Sequence, residues 1–167
     1  MLLGSTANSN TSSDTELLVT QLIFQHRYAE VYELLINQQS MQTSVLYNIA
    51  LCLHWSGNYQ EALYRLDSIR LAPQSNYTNK LDADTNYKSI SSKQNQTDDY
   101  LNGITEVYVR RFPALVHDAI IRLKTDCWLQ LGNYAMVAAL ATPIANKGYQ
   151  NITDALKLAK TANDQRI

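Results

Sequence analysis

The sequence has few of the residues that interrupt regular structure or carry reactive groups. Its 167 residues include five glycines, three prolines and two cysteines. Two cysteines cannot form a disulfide framework, which excludes a scaffold held together by disulfides. Glycine-rich phosphate loops, nucleophile elbows and CxxC or HxxxH pairs are also missing. We therefore expect a protein that is not an enzyme, with no catalytic residue, no metal and no cofactor.

Charge of one sign and long apolar runs are lacking too. Fourteen Lys and Arg residues stand against 15 Asp and Glu residues, so the net charge is −1. A basic nucleic-acid footprint is missing, and no run approaches the roughly 20 apolar residues of a membrane span. The opening Met1–Leu3 is too short and uncharged for a signal peptide. We expect no nucleic-acid partner, no membrane span and a cytoplasmic location.

What the sequence does contain is a strong helical-hairpin pattern over 43–76. Two groups of apolar residues have the spacing of one helix face each. The first group is Leu46, Ile49, Ala50 and Leu53, and the second is Tyr59, Ala62, Leu63, Leu66 and Ile69. Gly57 suits the left-handed conformation that ends a helix, and Pro73 stops the second helix. A connection this short predicts two antiparallel helices.

This hairpin resembles a tetratricopeptide repeat. That family carries a large apolar residue, a small residue four positions later, then glycine, tyrosine, alanine and a closing proline. The corresponding residues here are Leu46, Ala50, Gly57, Tyr59, Ala62 and Pro73. The resemblance implies an all-α fold, a right-handed α-α superhelical stack of about seven or eight helices. It also implies that the partner is a protein or a peptide.

Weaker copies of the pattern organise the rest of the chain. Gly132-Asn133-Tyr134 repeats Gly57-Asn58-Tyr59, whereas His26-Arg27-Tyr28 takes that place earlier. Helical hairpins cannot bury their apolar faces alone, so several copies are expected to stack. We assign a flexible lead-in to 1–11 and a single domain to 12–167, with repeats at about 12–42, 43–76 and 114–151 and a terminal helix at 152–164.

Two short polar patterns and one long polar stretch complete the assignment. Ser13 and Glu16 have the spacing of a capping box that begins a helix. The acidic pair Asp98–Asp99 is expected to cap the helix that follows it. Residues 77–113 are read either as a degenerate repeat or as a mobile insertion, because 74–98 are rich in polar residues.

Candidate partner-binding residues lie on the first helix of each hairpin, facing away from the second helix. In a curved stack these positions line the concave groove, and exposed Tyr, Trp and Arg often anchor partners. The alternative is that the large aromatic residues pack against a neighbouring repeat. The candidates are Phe24, Tyr47, Asn48, Leu51, His54, Trp55, Arg122, Asp126 and Gln130.

These features predict a non-catalytic adaptor or scaffold that binds a peptide or a partner helix in the groove. The alternative is a dedicated chaperone or an assembly subunit of a larger multiprotein complex. An enzyme that uses Cys127 or His117 is a more distant alternative. Repeats that clamp chaperone C-termini need basic residues where Ala119 and Leu123 stand, so we do not expect that subclass although Asn48 matches one clamp asparagine.

Overall fold

The computed structural model describes residues 7–73 and 83–164. Within these ranges the chain forms nine α-helices and no strand, which confirms the all-α prediction. The number exceeds the seven or eight helices expected, because two of the nine lie within 77–113, the stretch read either as a degenerate repeat or as an insertion. The helices are α1 (Ala7–Phe24), α2 (Tyr28–Ile36), α3 (Thr43–Trp55), α4 (Tyr59–Asp67), α5 (Thr85–Gln94), α6 (Glu106–Arg111), α7 (Pro113–Gln130), α8 (Tyr134–Ala141) and α9 (Gln150–Asp164).

The duplicated Gly-Asn-Tyr motif forms the same turn twice. Gly57 and Gly132 both adopt the left-handed conformation, with φ of +82° and +70°. The side chains of Asn58 and Asn133 then cap α4 and α8, each accepting from the third backbone N–H beyond it. Glycine thus ends one helix, as predicted, and the asparagine side chain caps the next.

The first turn reaches a similar conformation with a different residue. His26, which stands where the other turns carry glycine, has φ of +58°. The Arg27 backbone N–H donates to the Leu22 carbonyl at 2.8 Å and closes the turn. A residue with a Cβ atom is therefore held in the left-handed backbone region, which favours glycine.

The first helix begins earlier than the sequence indicates. Helix α1 starts at Ala7, so Ser13 lies inside it and the predicted capping box is wrong. The predicted lead-in of 1–11 overlaps α1 from residue 7, and residues 1–6 lie outside the described part. The terminal helix, predicted from residue 152, begins at Gln150.

Neighbouring helices pack in chain order with one interruption. Helix α1 packs on α2, α2 on α3 and α3 on α4; α4 then packs directly on α7, followed by α8 and α9. The main apolar core therefore joins α1 to α4 with α7, and smaller clusters join α7 with α8 and α9. Helices α5 and α6 lie outside this order.

The chain between α5 and α6 crosses three of the packed helices. We call this stretch, together with the first residue of α6, the crossing segment (residues 95–106). It contains a short 3-10 helix, Asp99–Leu101, and it contacts α1, α3 and α7. Helix α5 itself has no buried residue. Both descriptions of 77–113, degenerate repeat and insertion, stay open because residues 77–82 lie outside the described part.

Within the described residues, no helix combines the length and the apolar character that crossing a membrane requires.

Candidate functional site

The crossing segment covers a face formed by α1, α3 and α7. Helix α3 shows the effect most clearly, since every residue from Thr43 to Leu53 is buried. An amphipathic helix of a hairpin normally buries only one side. Here α2 and α4 pack on α3, and the crossing segment and α6 cover it further.

Two side chains of α3 bind the backbone of the crossing segment. The Asn48 carboxamide pairs with both main-chain groups of Ile104: Oδ1 accepts from the amide N–H at 2.9 Å, and Nδ2 donates to the carbonyl at 2.8 Å. The Tyr47 hydroxyl donates to the Tyr100 carbonyl. Burial raises the pKa of Tyr47 strongly, so its hydroxyl keeps its proton. The buried backbone of the segment is thus satisfied by α3 side chains.

Arg122 of α7 holds the start of the crossing segment. Its Nη1 donates to Asp99 Oδ1 at 2.5 Å and its Nη2 donates to the Thr97 carbonyl at 2.7 Å. Its Nε donates to Asn151 Oδ1 of α9 at 2.8 Å. All three guanidinium nitrogens therefore have a partner, which a buried cation requires.

Two tyrosine rings flank the same guanidinium. The Arg122 Cζ atom lies 4.3 Å from the ring centroid of Tyr100 and 4.4 Å from that of Tyr149. The Tyr149 hydroxyl donates to Asp118 Oδ2 at 2.7 Å, which orients that ring. Cation–π contact and hydrogen bonding together fix the position of Arg122, which is 2% exposed.

Asp126, one turn after Arg122, binds the other end of Tyr100. The Tyr100 hydroxyl donates to Asp126 Oδ2, and Asn151 Nδ2 donates to Oδ1 at 3.3 Å. Burial raises the pKa of Asp126, and these two hydrogen bonds partly oppose the rise. Burial lowers the pKa of His54, an effect that the Asp126 charge partly offsets.

The far end of the crossing segment is held by Glu16 of α1. Its Oε1 accepts from the Glu106 amide N–H at 3.0 Å and from the Ser44 hydroxyl at 3.1 Å. Glu106 Oε1 in turn accepts from the Ser44 amide N–H at 2.7 Å. Glu16 therefore joins the starts of α3 and α6 rather than capping its own helix.

Gly103 is the point of closest approach between the crossing segment and α1. A Cβ atom at this position would lie 2.8 Å from Ile23 Cδ1 and 3.2 Å from the Thr20 Cα atom. The first distance is shorter than real Cβ contacts, and the second involves backbone. Only glycine fits here without a shift of the segment or of α1.

The structure buries four of the nine candidate residues, and three of them, Tyr47, Asn48 and Arg122, bind the crossing segment. Tyr47, Asn48, Leu51 and Arg122 are each at most 3% exposed. Their predicted exposure is wrong, because the segment occupies the face on which they lie. Asp126 joins them through Tyr100 and is half-buried. Whether these residues bind a partner stays a prediction.

Of the remaining candidates, three are exposed, and His54 lies close enough to Asp126 for that charge to affect its pKa. Phe24 and Trp55 are 80% and 62% exposed, and Gln130 is exposed at the end of α7. Trp55 stacks on Tyr28 with ring centroids 4.9 Å apart. His54 is half-buried and meets the edge of Tyr59 at 5.6 Å.

Sequence reasoning missed the residues that the crossing segment contributes. Asp99 was expected to cap a helix, but it pairs with Arg122. Tyr100, Gly103 and Ile104 were not singled out for a site. The available signal was a glycine between apolar residues, Leu101 and Ile104, where no turn was needed.

The thiols and histidines give little support for reactive chemistry. Burial raises the pKa of both Cys52 and Cys127 to about 12, and Asp126 adds to the effect at Cys127. A protonated thiol is a poor nucleophile, so the Cys127 alternative gains no support. Over residues 7–73 and 83–164, no group of three His, Cys, Asp or Glu side chains converges in a way that could hold a metal ion.

The arrangement can therefore bind an extended chain, through main-chain hydrogen bonds from α3 and a stacked guanidinium from α7. Comparisons with protein-family models, with curated proteins and with solved structures found no match for this chain. The resemblance to tetratricopeptide repeats accordingly depends on the residues of the hairpins alone.

Proposed function

We propose that this protein is a non-catalytic adaptor or scaffold of the tetratricopeptide-repeat type. In this proposal the hairpins form a right-handed superhelical stack, and its concave groove binds a peptide or a partner helix. One observation carries the proposal: the face formed by α1, α3 and α7 holds an extended segment through its own side chains.

The chemistry of this face suits peptide binding. Asn48, Tyr47 and Arg122 contact backbone carbonyls, which every peptide presents regardless of its sequence. The contacts that Arg122 and Asp126 make with side chains supply selectivity. Main-chain bonds for affinity and side-chain sites for selectivity are the usual division in peptide recognition.

Location and partner class follow from the same proposal. Both cysteines are free and buried, as in proteins of reducing compartments, and a cytoplasmic location agrees with this. The near-neutral net charge favours a protein or peptide partner over a nucleic acid. The proposed site needs neither a metal nor a cofactor.

A second candidate, an assembly subunit of a larger complex, is favoured by an exposed aromatic surface. We call His26, Tyr28 and Trp55 the turn surface, because they lie at or beside the turns that follow α1 and α3. Trp55 is 62% exposed although it stacks on Tyr28, and His26 lies 6.0 Å from Tyr28. Exposed tryptophan and tyrosine are frequent anchors of protein interfaces.

Quantitative affinity capture from the source cells with three baits tests both candidates. The baits are the wild type, Gly103→Ala, which loosens the crossing segment without altering any residue of α3 or α7, and Trp55→Ala, which removes the centre of the turn surface. A partner enriched by Gly103→Ala supports groove binding. A partner lost with Trp55→Ala but unchanged with Gly103→Ala supports the assembly subunit. Identical capture by all three baits would contradict both.

A further inference from the structure

The crossing segment is bound to α1, α3 and α7 in the manner of a separate peptide. Asn102 and Thr105, which flank Gly103 and Ile104, have extended backbones, with ψ of 148° and 161°. Both main-chain groups of Ile104 are paired with the Asn48 side chain. Extended chain that relies on another element's side chains is typical of a bound peptide.

Two adjacent side chains give the segment its strongest attachment. Asp99 pairs with the buried Arg122 guanidinium, and the Tyr100 ring stacks on that guanidinium. The Tyr100 hydroxyl also reaches Asp126, and Tyr100 is 5% exposed. These contacts require an acidic residue followed by tyrosine, because phenylalanine cannot donate to Asp126.

The next anchors lie three and four positions after Tyr100. Gly103 packs so closely against Thr20 and Ile23 that a Cβ atom would force a shift of the segment or of α1. Ile104 is 7% exposed and belongs to the main apolar core. Leu101 and Asn102 between them are not fully buried. The face therefore selects an acidic residue, a tyrosine, two variable residues, a glycine and an aliphatic residue, in that order.

The upstream side of the segment is attached by polar contacts, including a hydrogen bond from the Gln150 amide N–H to the Asn95 carbonyl at 3.0 Å. Helix α5 has no buried residue. Asn95 and Gln96 donate side-chain hydrogen bonds to the carbonyls of Lys147 and Gly148, both at 2.8 Å, and these bonds are exposed. If residues 97–105 left the face, few buried contacts of α5 would have to break.

We infer that the face of α1, α3 and α7 accepts a peptide of another protein with the pattern acidic-Tyr-x-x-Gly-aliphatic, bound as one short helical turn followed by extended chain, and that the crossing segment occupies this site until such a peptide displaces it. This inference rests on the proposed groove-binding function and specifies its ligand. A tethered segment competes at an effective concentration of about millimolar. Wild-type protein therefore binds a free peptide weakly unless the segment is loosened.

The test uses a fluorescent peptide of residues 97–106, Thr-Asp-Asp-Tyr-Leu-Asn-Gly-Ile-Thr-Glu, and fluorescence anisotropy. The receptor is the full chain with Asp99→Asn and Gly103→Ala, which weaken the tethered segment and leave α3 and α7 unchanged. We expect this variant to bind the peptide about tenfold more tightly than the wild type, since Asp99→Asn removes an ion pair of the competitor and Gly103→Ala adds a close contact to it. If far-UV circular dichroism shows a loss of helix, the Asp99→Asn single variant replaces it.

Matched controls separate specific binding from simple adhesion. Adding Asn48→Ala to the same variant should weaken peptide binding about tenfold, because the backbone of the peptide then loses its partner. A peptide with alanine in place of its glycine should bind more weakly, by up to about tenfold. Equal binding of the alanine and glycine peptides, or no binding to the loosened variant, would overturn the inference.

Two further outcomes are distinguishable. Light scattering that shows the loosened variant to dimerise, with the peptide dissolving the dimer, would overturn the inference in favour of a second copy of this chain. If capture by Gly103→Ala enriches a partner while the peptide fails to bind, the groove-binding function stands and the ligand pattern is wrong. If the capture is unchanged and the peptide binds, the face recognises only this chain's own segment. That outcome also overturns the inference.

Discussion

The α3–α4 hairpin and the crossing segment differ in the origin of their hydrogen bonds. The hairpin turn is closed within a few residues, by the left-handed Gly57 and by the Asn58 side chain that accepts from the Glu61 amide N–H. The crossing segment obtains its bonds from residues 53, 56 and 90 positions away in sequence. The comparison teaches that a strong local motif decides where helices end. A segment without such a motif takes its conformation from hydrogen bonds with side chains that are distant in sequence.

The same difference explains the burial of α3. Its apolar stripe, read from the hairpin alone, has one buried side. Its other side carries Tyr47 and Asn48, which hydrogen-bond to the crossing segment, and Leu51, and all three are buried. An accurately predicted hairpin therefore still gave the wrong exposure for its second face.

The largest expected effect comes from removing the distant charge pair. Arg122→Ala should lower the free energy of unfolding by about 3 kcal/mol, because it leaves Asp99 without its partner and opens a gap between two tyrosine rings. Lys124→Ala is the control on the same helix: Lys124 Nζ lies 2.6 Å from Asp67 Oδ1, but the Asp67 side chain is 66% exposed. Its cost should stay within about 1 kcal/mol. Urea denaturation measures both, and equal costs would contradict the importance of the buried pair.

A pair of asparagines compares distant with local hydrogen bonding directly. Asn48→Ala should cost about 2 kcal/mol, since both buried main-chain groups of Ile104 lose their partner. Asn133→Ala removes only the exposed cap of α8 and should cost about 1 kcal/mol. Thermal unfolding followed by circular dichroism gives the two values. A larger cost for Asn133→Ala would show that the crossing segment contributes little to stability.

His26 and Gly57 both adopt the left-handed conformation, so exchanging glycine and a residue with a Cβ atom at the two turns should change stability in opposite directions. His26→Gly should raise the free energy of unfolding by up to about 1 kcal/mol, because it relieves the left-handed strain of a residue with a Cβ atom. Gly57→Ala should lower it by about 1 kcal/mol for the converse reason. Chemical denaturation of both variants is the measurement. The same sign for both substitutions would mean that contacts of His26, such as its approach to Tyr28, outweigh the strain.

The smallest expected effect is on pH dependence. Burial lowers the pKa of His54 from its ordinary value of 6.5, so the unfolded chain takes up a proton more readily. Stability from this group is fully present above about pH 6.5 and falls as the pH drops towards the folded-state pKa. The raised pKa of Asp126 acts oppositely, at pH values above its ordinary 3.8. His54→Gln should flatten the decline between about pH 7 and about pH 6.

Thermal midpoints of wild type and His54→Gln, measured across this range, decide the point. An unchanged slope would assign the pH dependence to other groups.

Prediction succeeded where a residue acts on its own neighbourhood. The Gly-Asn-Tyr turns lie where the sequence indicates, and α3, α4, α7 and α8 begin or end beside them. It failed at Glu16, since the capping-box spacing also suits a carboxylate that reaches Ser44 and Glu106. It failed at Asp99 for the same reason: a capping residue and an ion-pair partner have the same chemistry.

The sequence predicted the helix residues of the site but not the segment that they bind. Tyr47, Asn48, Arg122 and Asp126 were identified because they lie on the first helices of hairpins, away from the second helices. Their common partner, the crossing segment, was not identified. Its contacts lack a periodic pattern, and the polar residues that precede it hide its few apolar anchors.

The sequence by itself determined the helices of the clear hairpins and the turns between them, because apolar spacing and glycine or asparagine at helix ends act over four or fewer residues. Tertiary structure alone decided that α4 packs on α7 and that residues 95–106 cross α1, α3 and α7. The physical reason is the range of the interactions. A buried guanidinium or carboxamide pairs with whichever backbone the fold brings to it. The residues next to it in sequence therefore do not indicate its partner.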